Sequence, residues 1–190
     1  MMDSSVHKQL HFKSVNAENR REVEGLTVFS EQAGFIESVS ECLREADELE
    51  LWRPVGIYDS DTLIGFAMYG YFPEPAPGQL WLDRLLIDKR YQGKGYGSRL
   101  MDLLEARIFE NYPKVHIDAS FPAESMYLRR GYQIISYEKM ETENGDFLCY
   151  HTMEKEQANE VLAKGEISQS QYDALQRDLD EIIDDLGEYV

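Results

Sequence analysis

Gln92, Gly95 and Gly97 stand at a Gln-x-x-Gly-x-Gly spacing inside RYQGKGYGSRLM, residues 90–101, with a further glycine at Gly93 and a cation at Lys94. Glycine loses more conformational freedom on folding than any other residue, so three at alternate positions ask for a tight turn or a close approach to the main chain. In front of a helix, successive N–H groups and the positive end of the helix can hold the oxygens of a pyrophosphate. Lys94 adds charge to such a cradle. The stretch is not a Walker A loop, which needs Gly-Lys-Ser/Thr after four spacer residues, and it lacks the early βαβ setting of a dinucleotide fingerprint. The four histidines, His7, His11, His116 and His151, have no metal-ligand spacing, and Cys42 and Cys149 form no CxxC pair. No metal is expected.

The elements around this loop follow from periodicity and breakers. Residues 10–15 alternate as a half-buried strand, 16–29 read as a helix with Asn16 as its cap, and 38–49 read as a second amphipathic helix. Pro54 is expected to close the helical zone, followed by two β runs joined at Asp59, Ser60 and Asp61. After the Pro- and Gly-rich residues 73–78 comes a strand at 79–87, then the glycine stretch, then a helix with Gly97, Leu100, Met101, Leu104 and Ile108 on one side. A strand at 114–119, a short helix at 122–130 closed by Gly131, and a hairpin around Glu143, Asn144 and Gly145 complete the order βααβββαβαββ. Antiparallel hairpins with a single βαβ passage imply an α+β fold: a mixed, mostly antiparallel sheet with helices on both faces, and no regular doubly wound domain. Residues 1–156 form the main domain. Residues 157–190 read as an acidic C-terminal extension, a small helical hairpin whose second arm opens with Ser168 and Gln171 as a capping box.

The chain has 190 residues, 43% of them hydrophobic, enough for one ordinary core. Its formal net charge is −17, which argues against a nucleic-acid partner; a cationic one would be drawn in, but solubility alone accounts for such a charge, which by itself decides nothing. No signal-like run and no span-length apolar segment is seen, so a soluble, cytoplasmic protein without membrane attachment is expected.

The stretch LLIDKRYQGKGYGSRLM resembles the acetyl-CoA motif of the GNAT acetyltransferase superfamily, and the likeness covers roughly residues 10–154, element order included. GFIESVSECL, RPVGIY, LIGFAMYGYFPE and WLDRLLIDKRYQGKG are similar, more closely, to bacterial spermine/spermidine (diamine) acetyltransferases. The resemblance implies a GNAT-like fold and an acetyl-CoA-dependent transfer to the primary amine of a diamine or polyamine. Its alternatives are a GNAT acting on an aminoglycoside, an amino acid or a protein N-terminus, and a non-catalytic acyl-CoA-binding module. The strand backbone at Leu85, Leu86 and Ile87 is assigned to the pantetheine arm, and Gln92, Gly93, Lys94, Gly95, Tyr96, Gly97 and Ser98 to the pyrophosphate. Tyr127 matches the tyrosine that protonates the leaving thiolate, within Ser120-Phe-Pro-Ala123-Glu-Ser-Met126-Tyr127. Ser120 stands where the pattern has Asn, and Met126 where it has Leu, so Ser120 bonds the cofactor with a shorter reach. Asp83 occupies the place of an acidic residue that binds the amine or takes its proton. The implied partners are a small-molecule amine and a second copy of the chain, as a homodimer.

Amine chemistry gives these groups their work. An alkyl ammonium with a pKa near 10.4 must lose a proton before it can attack a thioester, which a carboxylate such as Asp83 can arrange. No covalent enzyme intermediate is required. A polycation calls for several spaced carboxylates, because an ammonium left unpaired in a cleft costs desolvation. Glu37 and Glu41, four apart and so expected on one helix face, are the first choices, with Glu31 and Glu74 behind them.

Overall fold

The computed structural model describes residues 10–74, 78–141, 145 and 147–157. The helical hairpin expected beyond Gln157 lies outside these residues, as do Glu143 and Asn144 of the last turn. Among the described residues there are seven strands: β1 (Leu10–Ser14), β2 (Trp52–Asp59), β3 (Thr62–Phe72), β4 (Gln79–Ile87), β5 (Lys114–Ser120), β6 (Gln133–Glu141) and β7 (Phe147–Glu156). The helices are α1 (Arg20–Glu24), α2 (Val39–Glu48), α3 (Tyr96–Asn111) and α4 (Phe121–Arg129), with a 3-10 turn at Ser30–Gln32. The chain order matches the expected one. The strands form one open sheet in the order β1-β2-β3-β4-β5-β7-β6. Every neighbouring pair is antiparallel except β4 and β5, which α3 connects as a parallel crossover.

Strand alternation sends side chains into two layers. Leu82, Val115, Ile117 and Met153 join Leu100, Met101 and Leu104 of α3 in one core, and Phe66, Met68 and Leu86 join Val23, Cys42 and Leu43 of α1 and α2 in the other. Each such apolar side chain withdrawn from water contributes about 1.5–3 kcal/mol before entropy is counted. Helices therefore cover both faces, as the element order implied.

Two local expectations are corrected. The helix expected over 16–29 is only α1, Arg20–Glu24. Asn16 caps a turn instead, its Oδ1 accepting from Glu18 N–H at 2.9 Å, and Asn19 takes the N-cap position. Beyond Gly25 the helix does not continue, because Thr27 N–H donates to the buried Asp88 carboxylate at 3.0 Å and Thr27 C=O accepts from Lys89 N–H. Pro54 does not mark the end of a helical zone; it lies within β2, opposite Met68. It is tolerated there because β1 pairs only as far as Ser14 and Val55, so the ladder needs no N–H from residue 54 on that side, while its C=O accepts from Val15.

The feature that makes room for a site is the seam between β4 and β5. They pair only at Trp81 with His116 and at Leu82 with Ile117, although β4 runs on to Ile87 and β5 to Ser120. Past Leu82 the two strands part and leave a V-shaped opening at the sheet centre.

Candidate active site

The glycine stretch follows β4 beyond this opening and leads into α3. Gly93 and Gly95 have φ of 72° and 79°, the left-handed region where a side chain is strained, and Gly95 is the N-cap of α3. Gly97 is different: it sits inside the first turn of α3, and a Cβ there would meet nothing within 4 Å. Neither turn geometry nor internal packing calls for glycine at that position, although glycine costs a helix about 1 kcal/mol relative to alanine. Open space over bare backbone at a helix N-terminus fits a phosphate-bearing ligand. The loop is held from behind. Gln92 Nε2 donates to Ile87 C=O at 2.9 Å and exchanges bonds with Gln32, while Asp88, 1% exposed, accepts from both the N–H and the side chain of Arg90. Lys94 Nζ donates to Arg90 C=O at 3.0 Å. The ring of Tyr96 points into the core with its hydroxyl on Asp59, so only its backbone can serve a ligand at the loop.

Asp83 lies at the point of divergence. In the β3–β4 register Met68 faces Arg84 and Tyr69 faces Leu82, so Asp83 is the extra residue of a β-bulge. A bulge re-aims its side chain, and here the carboxylate becomes a wall of a cavity lined also by Phe35, Ile36, Glu37, Tyr127 and Tyr150. Burial pushes the Asp83 carboxyl up to about 7 against the opposing pull of the adjacent Arg84 guanidinium. Arg84 is ion-paired with Asp83 and, at 2.8 Å, with Glu37, which ties the loop before α2 to β4.

Tyr127, 6% exposed, reaches the same cavity from α4. Its helix is fixed to α3 by Arg130, whose Nε donates to Glu105 at 2.8 Å and whose Nη2 donates to Asp102 at 2.6 Å. Burial pushes its phenol up to about 12, so at neutral pH it keeps its proton. Ser120, the N-cap of α4, makes no capping bond with its side chain and lines the cavity.

The structure thus brings Asp83, Glu37, Leu85, Ser120 and Tyr127 together around one cavity. Leu86 and Ile87 continue β4 toward the glycine loop, and Leu86 turns its side chain to the α1/α2 core. Glu37 and Glu41 do not share a helix face, which corrects that expectation: Ser38 is the N-cap of α2, so Glu37 precedes the helix. The reason is a capping box, in which Glu41 accepts from Ser38 N–H at 2.8 Å and from Ser38 Oγ at 2.6 Å. Those hydrogen bonds hold the Glu41 carboxyl below its usual range. Sequence reading passed over Asp118 and Tyr150, which line the cavity from β5 and β7, and saw Arg84 only as a neighbour of Asp83. Their signal was the alternation of KVHIDA and DFLCYHTM, unusable without the strand pairing. Among the described residues no group of three His, Cys, Asp or Glu could hold a metal ion, and no helix is long and apolar enough to cross a membrane.

The chain matches the Acetyltransferase (GNAT) family over residues 17–132. A spermine/spermidine N(1)-acetyltransferase of Bacillus subtilis (strain 168) is 38% identical over 133 residues, 68% of this chain and 88% of the relative. Among solved structures, the spermidine N-acetyltransferase from Vibrio cholerae in complex with CoA and spermine superposes with a TM-score of 0.58 at 17% identity, over 79% of this chain and 96% of that one. An N-acetyltransferase from Staphylococcus aureus Mu50 gives 0.58 at 18% identity, over 79% and 99%. At these identities the two structures speak for the fold alone.

Proposed function

Since the chain belongs to the GNAT acetyltransferase family, we propose that it carries an acetyl group from acetyl-CoA to a primary amine of a diamine or polyamine, by direct attack in a ternary complex. The observation that carries this reading is the cavity at the β4–β5 opening, where Asp83, Asp118 and Glu37 outnumber the one cation, Arg84. A dication or polycation suits that balance, and the Bacillus subtilis relative is named for such substrates.

Bound acetyl-CoA supplies a thioester carbonyl for the amine to attack. The bare backbone of Gly93, Gly95 and Gly97, with Gln92, Lys94, Tyr96 and Ser98 around it, holds the pyrophosphate; Leu85 to Ile87 pair with the pantetheine arm; Ser120 adds a hydroxyl. A backbone N–H of β4, turned toward the opening, meets the negative charge that develops on the carbonyl oxygen. Asp83 binds the ammonium and accepts its proton, directly or through water. A carboxyl near 7 lies closer to the ammonium's 10.4 than an ordinary one, which lowers the cost of that transfer. Tyr127 donates to the departing thiolate. Glu37, held by Arg84, faces the amine from the opposite wall, and Glu41 contributes to the acidic field at the rim.

The protein acts as a homodimer, through the face of its outer hairpin turned away from the cleft, where Tyr137 and Phe147 are exposed. The free thiols of Cys42 and Cys149 suit the reducing cytoplasm. By composition, residues 157–190 are an acidic extension to this domain.

The test is thiol release from acetyl-CoA across putrescine, spermidine, spermine, an aminoglycoside, free lysine and a peptide. Selective turnover of the polyamines is expected. Acetylation of the peptide or the aminoglycoside with the polyamines untouched would transfer the assignment to those acceptors.

A further inference from the structure

On the cleft side, among the described residues, one part of the sheet has no helix over it. The main contacts of α1 and α2 with strands are to β3 and β2. Beyond β4 the pairing carries that face outward in rows, because residues paired across strands share a face. Asp118 stands opposite Thr152 and Thr152 opposite Ser136; Ser120 stands opposite Tyr150 and Tyr150 opposite Glu138. The alternate residues Val115, Ile117, Ala119 and Met153 turn to the α3 core. Two polar rows therefore lead from the cavity across β5 and β7 to the outer strand β6.

Polar rows on an open sheet face are ordinarily just solvated. The partners of the two carboxylates set these rows apart. Asp118 is half-buried in the cavity wall, yet it has no ion pair among the described residues and accepts only from Thr152 Oγ1, at 2.8 Å. Glu138, exposed on β6, accepts from Ser136 Oγ at 2.9 Å and has no ion pair among the described residues. Three half-buried carboxylates elsewhere are matched by cations: Glu105 by Arg130 and Lys155, Glu154 by Lys114, Glu37 by Arg84. Burial, with Glu138 and Glu37 nearby, holds the Asp118 carboxyl above the usual carboxylate range against the opposing pull of the Thr152 hydroxyl and the Arg84 guanidinium, and an arriving cation would relieve it further.

We propose that Asp118 and Glu138 anchor the second and third ammonium groups of a polyamine whose reacting amine lies at Asp83, so that the acceptor runs across β5 and β7 toward β6. This rests on the polyamine acetylation proposed above. Neighbouring strands lie about 4.8 Å apart, so Asp118 is one widened step from Asp83 and Glu138 roughly 10 Å further out, spans that three- and four-carbon linkers and the carboxylate side chains can bridge. Asp118 selects diamines over monoamines, and Glu138 selects longer polyamines over putrescine.

The experiment compares kcat/KM of the full chain and of Asp118→Asn and Glu138→Gln for butylamine, putrescine, spermidine and spermine, with acetyl-CoA binding and thermal melting as controls on folding. Asp118→Asn should lose at least about tenfold on putrescine relative to butylamine, the scale of one charge-assisted contact. Glu138→Gln should leave putrescine unchanged and lower spermine several-fold. If the parent acetylates polyamines and both variants keep its preferences, the anchors are overturned and the polyamine assignment stands. If the parent acetylates no polyamine, the functional reading itself falls. Should Asp118→Asn not fold, Glu138→Gln on the exposed outer strand decides, and unaltered spermine selectivity overturns the proposal.

Discussion

A carboxylate in a regular strand has its direction fixed by the pleat, and Asp83 escapes this by being the inserted residue of a bulge. Its residue type and place before the glycine loop were readable in WLDRLLI; the bulge was not, because it depends on how β3 and β4 register. Asp118 was less legible still, since its value comes from standing across an opening that only the parallel β4–β5 pairing creates. Glu37 and Glu41 show the reverse error, in which a four-residue spacing suggested a shared face that the Ser38 cap prevents. The pH behaviour of Asp83 follows from its burial. With its carboxyl raised from 3.8 to about 7, the neutral form is favoured in the folded cleft, so its contribution to stability is full below the lower value and is lost as pH rises through the higher one. Between about pH 5 and about pH 8 the melting temperature of the parent should therefore fall relative to that of Asp83→Asn. Over the same window kcat/KM of the parent should show a limb near pH 7 that the variant lacks, leaving the slope due to the amine itself. Equal profiles for the two proteins would remove Asp83 from the proton path.

At the scale of elements, the order of strands and helices could be read from the sequence because alternation, glycine stops and hairpin turns are local signals. What could not be read were boundaries set by distant partners: the first helix stops early because the buried Asp88 carboxylate, 61 residues away, claims Thr27 N–H. The N-terminus of α3 gives the sharpest test of the cofactor cradle, because stability and function should move in opposite directions there. Gly97 has helical backbone and open space around the missing Cβ, so Gly97→Ala should stabilise the protein by up to about 1 kcal/mol. The same methyl would stand where the pyrophosphate approaches, and acetyl-CoA affinity should fall at least about tenfold. Thermal melting and titration with CoA read the two effects separately. A variant that gains stability and binds CoA normally would mean that Gly97 has no part in the cradle.

The whole molecule carries a net charge of −17, and a field of that sign draws polycations toward the cleft. Because salt screens such a field within about 8–10 Å near physiological strength, raising ionic strength should lower kcat/KM for spermine more steeply than for putrescine. Similar slopes for the two would show that capture owes little to the global charge. If the acidic cleft and Tyr127 serve one reaction, the initial rate of N-acetylspermidine formation by the 190-residue chain and by its Tyr127→Phe variant, with acetyl-CoA binding measured in both, will show it. The account expects product from the parent, a loss of roughly a hundredfold or more in the variant, and unchanged binding. Undiminished product from Tyr127→Phe, or no acetylspermidine from a parent protein that binds acetyl-CoA, would contradict it.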